Sequence, residues 1–149
     1  MNENKKKDSE YCPVESGHKN TEWPRKPPKK RRNNTFNIKI GSTKLYICVG
    51  EYPDGECCEI FLDLHKEGAP FRAMCNCFAI AVSLGLQYGV PLKTYISFFS
   101  RMKFEPNGIV TGYPGIKKAT SIPDFIFRLL SKEYIDPDSE NDAEDEELS

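Results

Sequence analysis

The segment from residue 71 to residue 92, FRAMCNCFAIAVSLGLQYGVPL, is apolar over most of its length and decides the predicted fold. Pro70 suits the first turn of a helix, because the N–H that proline lacks has no partner there. Gly89 suits the left-handed residue that ends a helix. Apolar residues recur every three or four positions, which predicts one buried side of a long helix. They are Phe71, Met74, Phe78, Val82 and Leu86.

Three segments upstream of this helix alternate apolar and polar residues, which is typical of half-buried strands. The first begins at residue 35, the second covers residues 45–49, and the third runs from about residue 57 to residue 64. Gly41-Ser42 and the sequence EYPDGE at residues 51–56 supply the two turns. The sequence therefore predicts a three-stranded antiparallel meander with one face that needs cover.

Two more helices are predicted downstream. Pro91 begins one through LKTYISFFSRM, and residues 120–134 form another, with Ser121 as its cap and Asp124 in its first turn. Residues 104–115 are rich in glycine and proline and show little regular pattern. The predicted fold class is α+β, a three-stranded meander covered on one face by about three helices.

Charges of opposite sign gather at the two ends of the 149-residue chain, although its formal net charge is only −1. Residues 24–32 read PRKPPKKRR, whereas residues 136–149 contain acids and no Lys or Arg. Neither end has enough apolar residues to offset the entropy lost on ordering. We therefore expect a disordered basic arm at 1–34, one domain at 35–135 and a disordered acidic tail at 136–149.

The sequence begins with Asn, Glu and Lys after Met1, and it shows no secretory signal pattern. Its longest apolar run, residues 78–86, is shorter than the roughly 20 residues that span a bilayer. We expect a cytoplasmic protein without membrane contact, with its six cysteines reduced. In a eukaryotic setting the basic run PKKRR also matches a nuclear address.

Two pairs of neighbouring cysteines raise the question of redox chemistry. On a helix, Cys75 and Cys77 point about 200° apart, so one disulfide or one metal cannot easily join them. On a strand, Cys57 and Cys58 face opposite sides. We predict that these thiols are packed as small apolar side chains.

Candidate residues for metal binding and catalysis are few. Cys12 and His18 are two plausible ligands where a zinc site needs four, so we predict no metal site. No Gly-x-Ser-x-Gly or Walker sequence occurs, and His65 lies in a charged loop that is typical of a solvated connection. We predict no catalytic residue.

Basic residues define two candidate anion sites. Backbone amides after Gly68, together with Lys66 and Arg72, can hold a phosphate, and Lys117 and Lys118 are further candidate nucleotide contacts. The basic arm is a candidate for nonspecific contacts to nucleic acid phosphates through Arg25, Lys26, Lys29, Lys30, Arg31 and Arg32. A capped connection and a solvated linker are the structural alternatives.

Four strings, taken in order, resemble one family: EIFLDLHKEG at 59–68, FAIAVSLGLQYGVPL at 78–92, FEPNG at 104–108 and TSIPD at 120–124. From about residue 31 to residue 134, the chain resembles the C-terminal domain of adenosylcobalamin-dependent, class II ribonucleoside-diphosphate reductases. The last string matches the Thr-Ser-Cys-Pro-Asp signature for which this domain is named, with Ile122 in place of the cysteine.

The resemblance implies a place in ribonucleotide reduction but no catalysis by this chain alone. Family members use a thiyl radical, reducing cysteines and adenosylcobalamin inside a catalytic barrel, and nothing here matches the barrel residues. We expect a stand-alone or truncated auxiliary domain that binds no cofactor by itself. Its expected partner is a separately encoded catalytic barrel, with contacts at Phe98, Phe99, Phe104 and Glu105. The alternative is a small nucleotide- or nucleic-acid-binding regulatory protein derived from the same domain.

Overall fold

A computed structural model describes residues 23–138, which form one antiparallel sheet with three helices. The strands are β1 (Asn33–Ile40), β2 (Thr43–Glu51), β3 (Cys57–Asp63), β4 (Gly108–Thr111) and β5 (Lys118–Ala119). The helices are α1 (Ala69–Gln87), α2 (Leu92–Phe99) and α3 (Ile122–Tyr134). The strand order is β3-β2-β1-β4-β5, and the predicted α+β class is confirmed.

The predicted meander forms from β1, β2 and β3. β1 and β2 stay in register along the whole of β1, from the pair Asn33–Gly50 to the pair Ile40–Thr43. In β1 and β2 every second side chain faces the core, as the two-residue period predicts, whereas β3 buries four consecutive residues, 57–60. The buried apolar side chains on this inner face include Ile38, Ile40, Leu45, Ile47, Val49 and Ile60.

The sheet has five strands, where the sequence pattern predicted three. The additional strands lie in and just after the segment that showed no regular pattern. β4 has four residues, pairs with β1 through Ile40 and Val110, and buries only Val110 among its side chains. β5 has two residues. Such short strands contain too few residues for an alternation to appear, so pairing rather than periodicity defines them.

Helix α1 is attached to the edge strand β3. The Ser83 hydroxyl accepts a hydrogen bond from the Ile60 N–H at 2.9 Å, and the Gln87 amide donates to the Cys58 carbonyl at 3.2 Å. Among residues 23–138, α1 is the one helix that is long and apolar enough to cross a membrane by length and composition. Its side-chain bonds to a β-strand show that it is a packed helix of this domain.

Aromatic rings join the helices. Phe127 of α3 is fully buried, and the rings of Tyr95 and Phe99 from α2 stack on it with centroid distances of 5.8 and 5.4 Å. Gly85 of α1 allows α2 to approach closely, because a Cβ at this position would lie 1.8 Å from the Tyr95 hydroxyl oxygen. The cluster holds α2 between α1 and α3.

Part of the predicted basic arm, residues 23–34, lies within the described structure. The Arg25 guanidinium bonds Asp54 at 2.6 Å and Glu56 at 2.7 Å. β1 begins at Asn33, two residues before the predicted domain boundary. Ion pairs and the hydrogen bonds of β1 therefore include this part of the arm. The rest of the arm and most of the acidic tail lie outside the described residues, and the three-part division stays a prediction.

Candidate interaction surface and signature segment

The TSIPD segment at residues 120–124 forms the start of α3. Ser121 caps the helix, since its hydroxyl accepts from the Asp124 N–H at 3.1 Å. The Asp124 carboxylate is 1% exposed and accepts from the backbone N–H groups of Thr120 at 3.0 Å and Arg101 at 2.6 Å. Arg128, one helical turn later, bonds the same carboxylate at 3.3 Å. The segment thus satisfies one free N–H group of the helix, that of Asp124, and also binds a distant loop.

That loop connects α2 to β4. The Thr120 hydroxyl donates to the Met102 carbonyl at 2.8 Å, and the Phe104 N–H donates to the Thr120 carbonyl at 3.1 Å. The side chains of Met102 and Phe104 remain about half exposed. Ile122, at the place of the signature cysteine, is buried in the core. The signature in this chain is therefore a structural element. It holds the side chains of Met102 and Phe104 at the surface.

Helix α1 carries a second apolar side that residues 23–138 leave exposed. We define the outer face of α1 by four side chains that are each at least half exposed: Met74, Ile80 and Leu84 of the helix, and Tyr88, the residue that caps its C-terminal end. At 100° per residue, they lie opposite the buried side formed by Ala79, Val82 and Leu86. Large apolar side chains grouped on one exposed helix side are typical of interaction surfaces.

The exposure of Met74 corrects the sequence analysis, which placed it on the buried side. Cys75 and Phe78 contact the core instead, and Met74 is 69% exposed. Because both sides of α1 are apolar, the recurrence of apolar residues alone could not locate the border between them.

Of the four predicted partner contacts, three are exposed and one is packed in the core. Phe98 is 71% exposed at the end of α2, and Phe104 and Glu105 are exposed in the following loop. The ring of the adjacent Phe99 is packed against Phe127. Phe99 therefore contributes to the core, and the other three stay available as contacts.

The four predicted phosphate contacts do not come together. Lys66 follows β3 at one edge of the sheet, and Arg72 lies in the first turn of α1 beside that edge. Lys117 and Lys118 are at β5, the opposite edge. Three strands separate the two pairs, so one phosphate cannot contact all four side chains. Their role in anion binding stays a prediction.

An open cleft of about 520 Å³ lies beside the first turn of α1, next to the predicted phosphate contacts Lys66 and Arg72, neither of which lines it. The side chains of Glu67 and Glu105 line it, together with Phe71 and Pro106. Two carboxylates repel an anion, which disfavours phosphate there. Its lining contains no histidine to ligate a cobalt ion, so nothing in this cleft indicates a cobalamin site.

Burial keeps most of the described cysteines unreactive. Burial raises the pKa of Cys57 to about 12 and the pKa of Cys58 to about 11. Cys75 packs against the core, whereas Cys77 is exposed on the same helix. The predicted packing role is confirmed for the first three thiols and wrong for Cys77, because residues two apart on a helix face different sides.

We expect alkylation at pH 8 to distinguish these thiols. Iodoacetamide should modify Cys77 in the folded protein, whereas Cys57 and Cys58 should react only after unfolding, because their thiolates are scarce and shielded. Peptide mass spectrometry of samples labelled with and without urea measures this. Rapid labelling of Cys58 in the folded protein would contradict the structure.

Among residues 23–138, no group of three or more His, Cys, Asp or Glu side chains is arranged to hold a metal ion. The candidate ligands Cys12 and His18 lie outside the described residues. The absence of a metal site in the whole chain stays a prediction.

Comparison with known proteins defines the class of this domain. Residues 18–134 match the family model of the TSCPD domain, and the chain belongs to that family. The curated relatives that it matches include vitamin B12-dependent ribonucleotide reductases. The predicted resemblance to a domain of cobalamin-dependent reductases is therefore confirmed. No solved structure matches the chain.

Three relatives show how much sequence this chain shares with the reductases. One from Agrobacterium fabrum is 54% identical over 110 residues, which are 74% of this chain and 9% of the relative. One from Streptantibioticus cattleyicolor is 44% identical over 108 residues, 72% of this chain and 18% of the relative. One from Rhodopirellula baltica is 37% identical over 124 residues, 82% of this chain and 12% of the relative. The chain spans less than a fifth of the length of each.

Proposed function

We propose that this chain is an auxiliary domain of a cobalamin-dependent ribonucleotide reductase and docks on the catalytic part through the outer face of α1. The observation that carries the proposal is the row of Met74, Ile80, Leu84 and Tyr88, which are large, apolar and exposed in a small domain. The relatives are vitamin B12-dependent ribonucleotide reductases, and nearly all of their length lies outside the match. A surface of this kind loses its contact with water when another protein covers it.

The exposed side chains of α1 and of the segments that follow it fit a docking role better than a catalytic one. Cys77 is exposed within this apolar side, and the other thiol of α1, Cys75, contacts the core. Phe98 and Phe104 add exposed rings on α2 and on the loop held by the signature. A central group of apolar anchors with polar side chains around it is the usual composition of a protein interface.

We further propose that chemistry and cofactor belong to the catalytic part. In that arrangement adenosylcobalamin, the radical and the ribonucleoside diphosphate are bound there, and this chain supplies contacts only. The complex is expected in the cytoplasm, with a nuclear location as the alternative in a eukaryotic host.

Binding in trans tests the proposal. The Agrobacterium fabrum relative is prepared without its matching segment of 110 residues and mixed with this chain. We expect the two to co-elute in size-exclusion chromatography at both 50 and 300 mM salt as working conditions, since apolar contacts do not weaken as salt rises. Separate elution at both concentrations would overturn the proposal.

The intact Agrobacterium fabrum relative is the matched control. Its own segment occupies the docking site, so it should not retain this chain. Equal binding to the intact and shortened proteins would show a different contact and would also contradict the proposed docking.

A further inference from the structure

The side of the sheet that faces away from the core carries basic and aromatic side chains. We define the exposed sheet face by Lys39 of β1, Lys44 and Tyr46 of β2, and Phe61 of β3. These residues alternate with the buried residues of the inner face, so they project to the opposite side. Phe61 is half exposed, although it lies in the middle of a strand.

Two lysines lie directly opposite each other on this face. Lys39 pairs with Lys44 in the register of β1 and β2, and both side chains are exposed. Like charges in this position destabilise a sheet, so the pair has no benefit for folding. Within residues 23–138, no carboxylate forms an ion pair with either ammonium group. The pair therefore presents two positive charges to solvent, where an anion would relieve their repulsion.

Two aromatic rings lie beside the lysines. Phe61 pairs with Cys48, and Tyr46 pairs with Asp63, so Phe61 and Tyr46 are diagonal neighbours across β2 and β3. Diagonal residues of an antiparallel pair are about 7–8 Å apart, which is within reach of aromatic side chains. The Lys44 ammonium is 5.6 Å from the centroid of the Tyr46 ring. Rings on neighbouring strands that are at least partly exposed are suited to stacking on bases.

The carboxylates of this face already have hydrogen-bonding partners. Asp63 bonds His65 at 3.2 Å, and the His65 ring meets the Tyr46 ring edge to face at 5.4 Å. Glu59 bonds Arg31, so that its charge is balanced. The two lysines outnumber Asp63, the remaining carboxylate, and the exposed sheet face is therefore positive.

More positive charge lies at the opposite end of the face. The bond between Arg31 and Glu59 attaches the chain before β1 to β3, and three neighbouring basic side chains in this segment are exposed. They are Lys29, Lys30 and Arg32. A path across the face therefore runs from this basic segment over Phe61 and Tyr46 to the lysine pair.

We propose that the exposed sheet face binds single-stranded nucleic acid, with bases stacked on Phe61 and Tyr46 and phosphates held by Lys39 and Lys44. Alternating cationic and aromatic groups serve both chemical parts of a single strand. This binding uses residues other than Lys66, Arg72, Lys117 and Lys118, the nucleotide contacts predicted from the sequence. It is independent of docking through α1, which lies on the other side of the sheet.

Fluorescence anisotropy with labelled twelve-nucleotide oligothymidylate and oligouridylate measures the binding. We expect saturable binding at about 50 mM salt that weakens at about 200 mM, because phosphate contacts release counterions. The comparison of the two oligonucleotides distinguishes DNA from RNA as the preferred strand. A duplex of the same length should compete poorly, since its bases are already stacked.

Variants of Phe61 and of the two lysines test whether the oligonucleotide binds to the exposed sheet face. Phe61→Leu keeps an apolar side chain but removes the ring, and we expect affinity to fall about fivefold to a hundredfold. Lys39→Gln with Lys44→Gln should weaken binding and lower the slope of log affinity against log salt by about 1.4. Lys93→Gln with Lys103→Gln, which removes the same charge from exposed positions elsewhere, is the matched control.

Circular dichroism and urea unfolding first establish that each variant is folded. An absence of saturable binding to both oligonucleotides at the lower salt would overturn the proposal. So would equal losses in the two lysine double variants, or unchanged affinity of folded Phe61→Leu, because the basic segment alone would then explain the binding.

Discussion

Replacing Asp124 with alanine is expected to lower the free energy of unfolding by about 3 kcal/mol. The carboxylate is almost fully buried and accepts from two backbone N–H groups, one of them that of Arg101 in the α2–β4 loop. Its removal leaves those N–H groups unpaired and leaves the buried Arg128 guanidinium without this carboxylate. Urea unfolding followed by circular dichroism measures the loss.

Asp63→Ala is the matched control, because Asp63 is well exposed and pairs with His65 at the surface. We expect it to change stability by less than about 1 kcal/mol. Asp124→Asn should fall between the two, since an amide oxygen still accepts one of the bonds. If Asp124→Ala costs no more than Asp63→Ala, the structural role assigned to the signature is wrong.

A glutamate at position 84 is expected to abolish docking without unfolding the domain. Leu84 is half exposed in the middle of the outer face of α1, so Leu84→Glu is tolerated in the free protein. In the complex the charge would be buried among apolar side chains, which should reduce affinity at least about 100-fold. Titration calorimetry with the shortened Agrobacterium fabrum relative measures the effect.

Ile109→Glu is the matched control for this change. Ile109 is also an exposed large apolar residue, but it lies on β4 and not on α1. We expect it to leave the affinity within about twofold of the original value. Equal losses in Leu84→Glu and Ile109→Glu would mean that added charge, and not its position, prevents binding.

The meander and the three helices could be predicted because their apolar residues recur regularly over enough positions to be recognised. Ser121 and Asp124 could be predicted at the start of α3 because a capping residue and the residue it bonds lie three positions apart. The bond from Asp124 to the Arg101 N–H could not be predicted, because it joins positions 23 apart in sequence. β4 depends on pairing with β1 in the same way.

The docking surface was only partly predictable. Phe98 and Phe99 are identical neighbours, and only packing against Phe127 shows which one is in the core. On α1, apolar residues occur on both sides, so the sequence gives no contrast between the buried and the outer face. The exposed sheet face was missed because its lysines and rings come from three strands and meet only through strand pairing.

The central claim is docking through the outer face of α1, and Cys77 offers a direct probe of it. Cys77 is exposed and lies on the same side of the helix as Met74 and Leu84, so a bound partner should shield its thiol. The measurement is the rate of iodoacetamide labelling at Cys77, with and without a saturating amount of the shortened Agrobacterium fabrum relative. We predict a rate at least about tenfold slower in the complex, whereas an unchanged rate in a complex that demonstrably forms would contradict the claim.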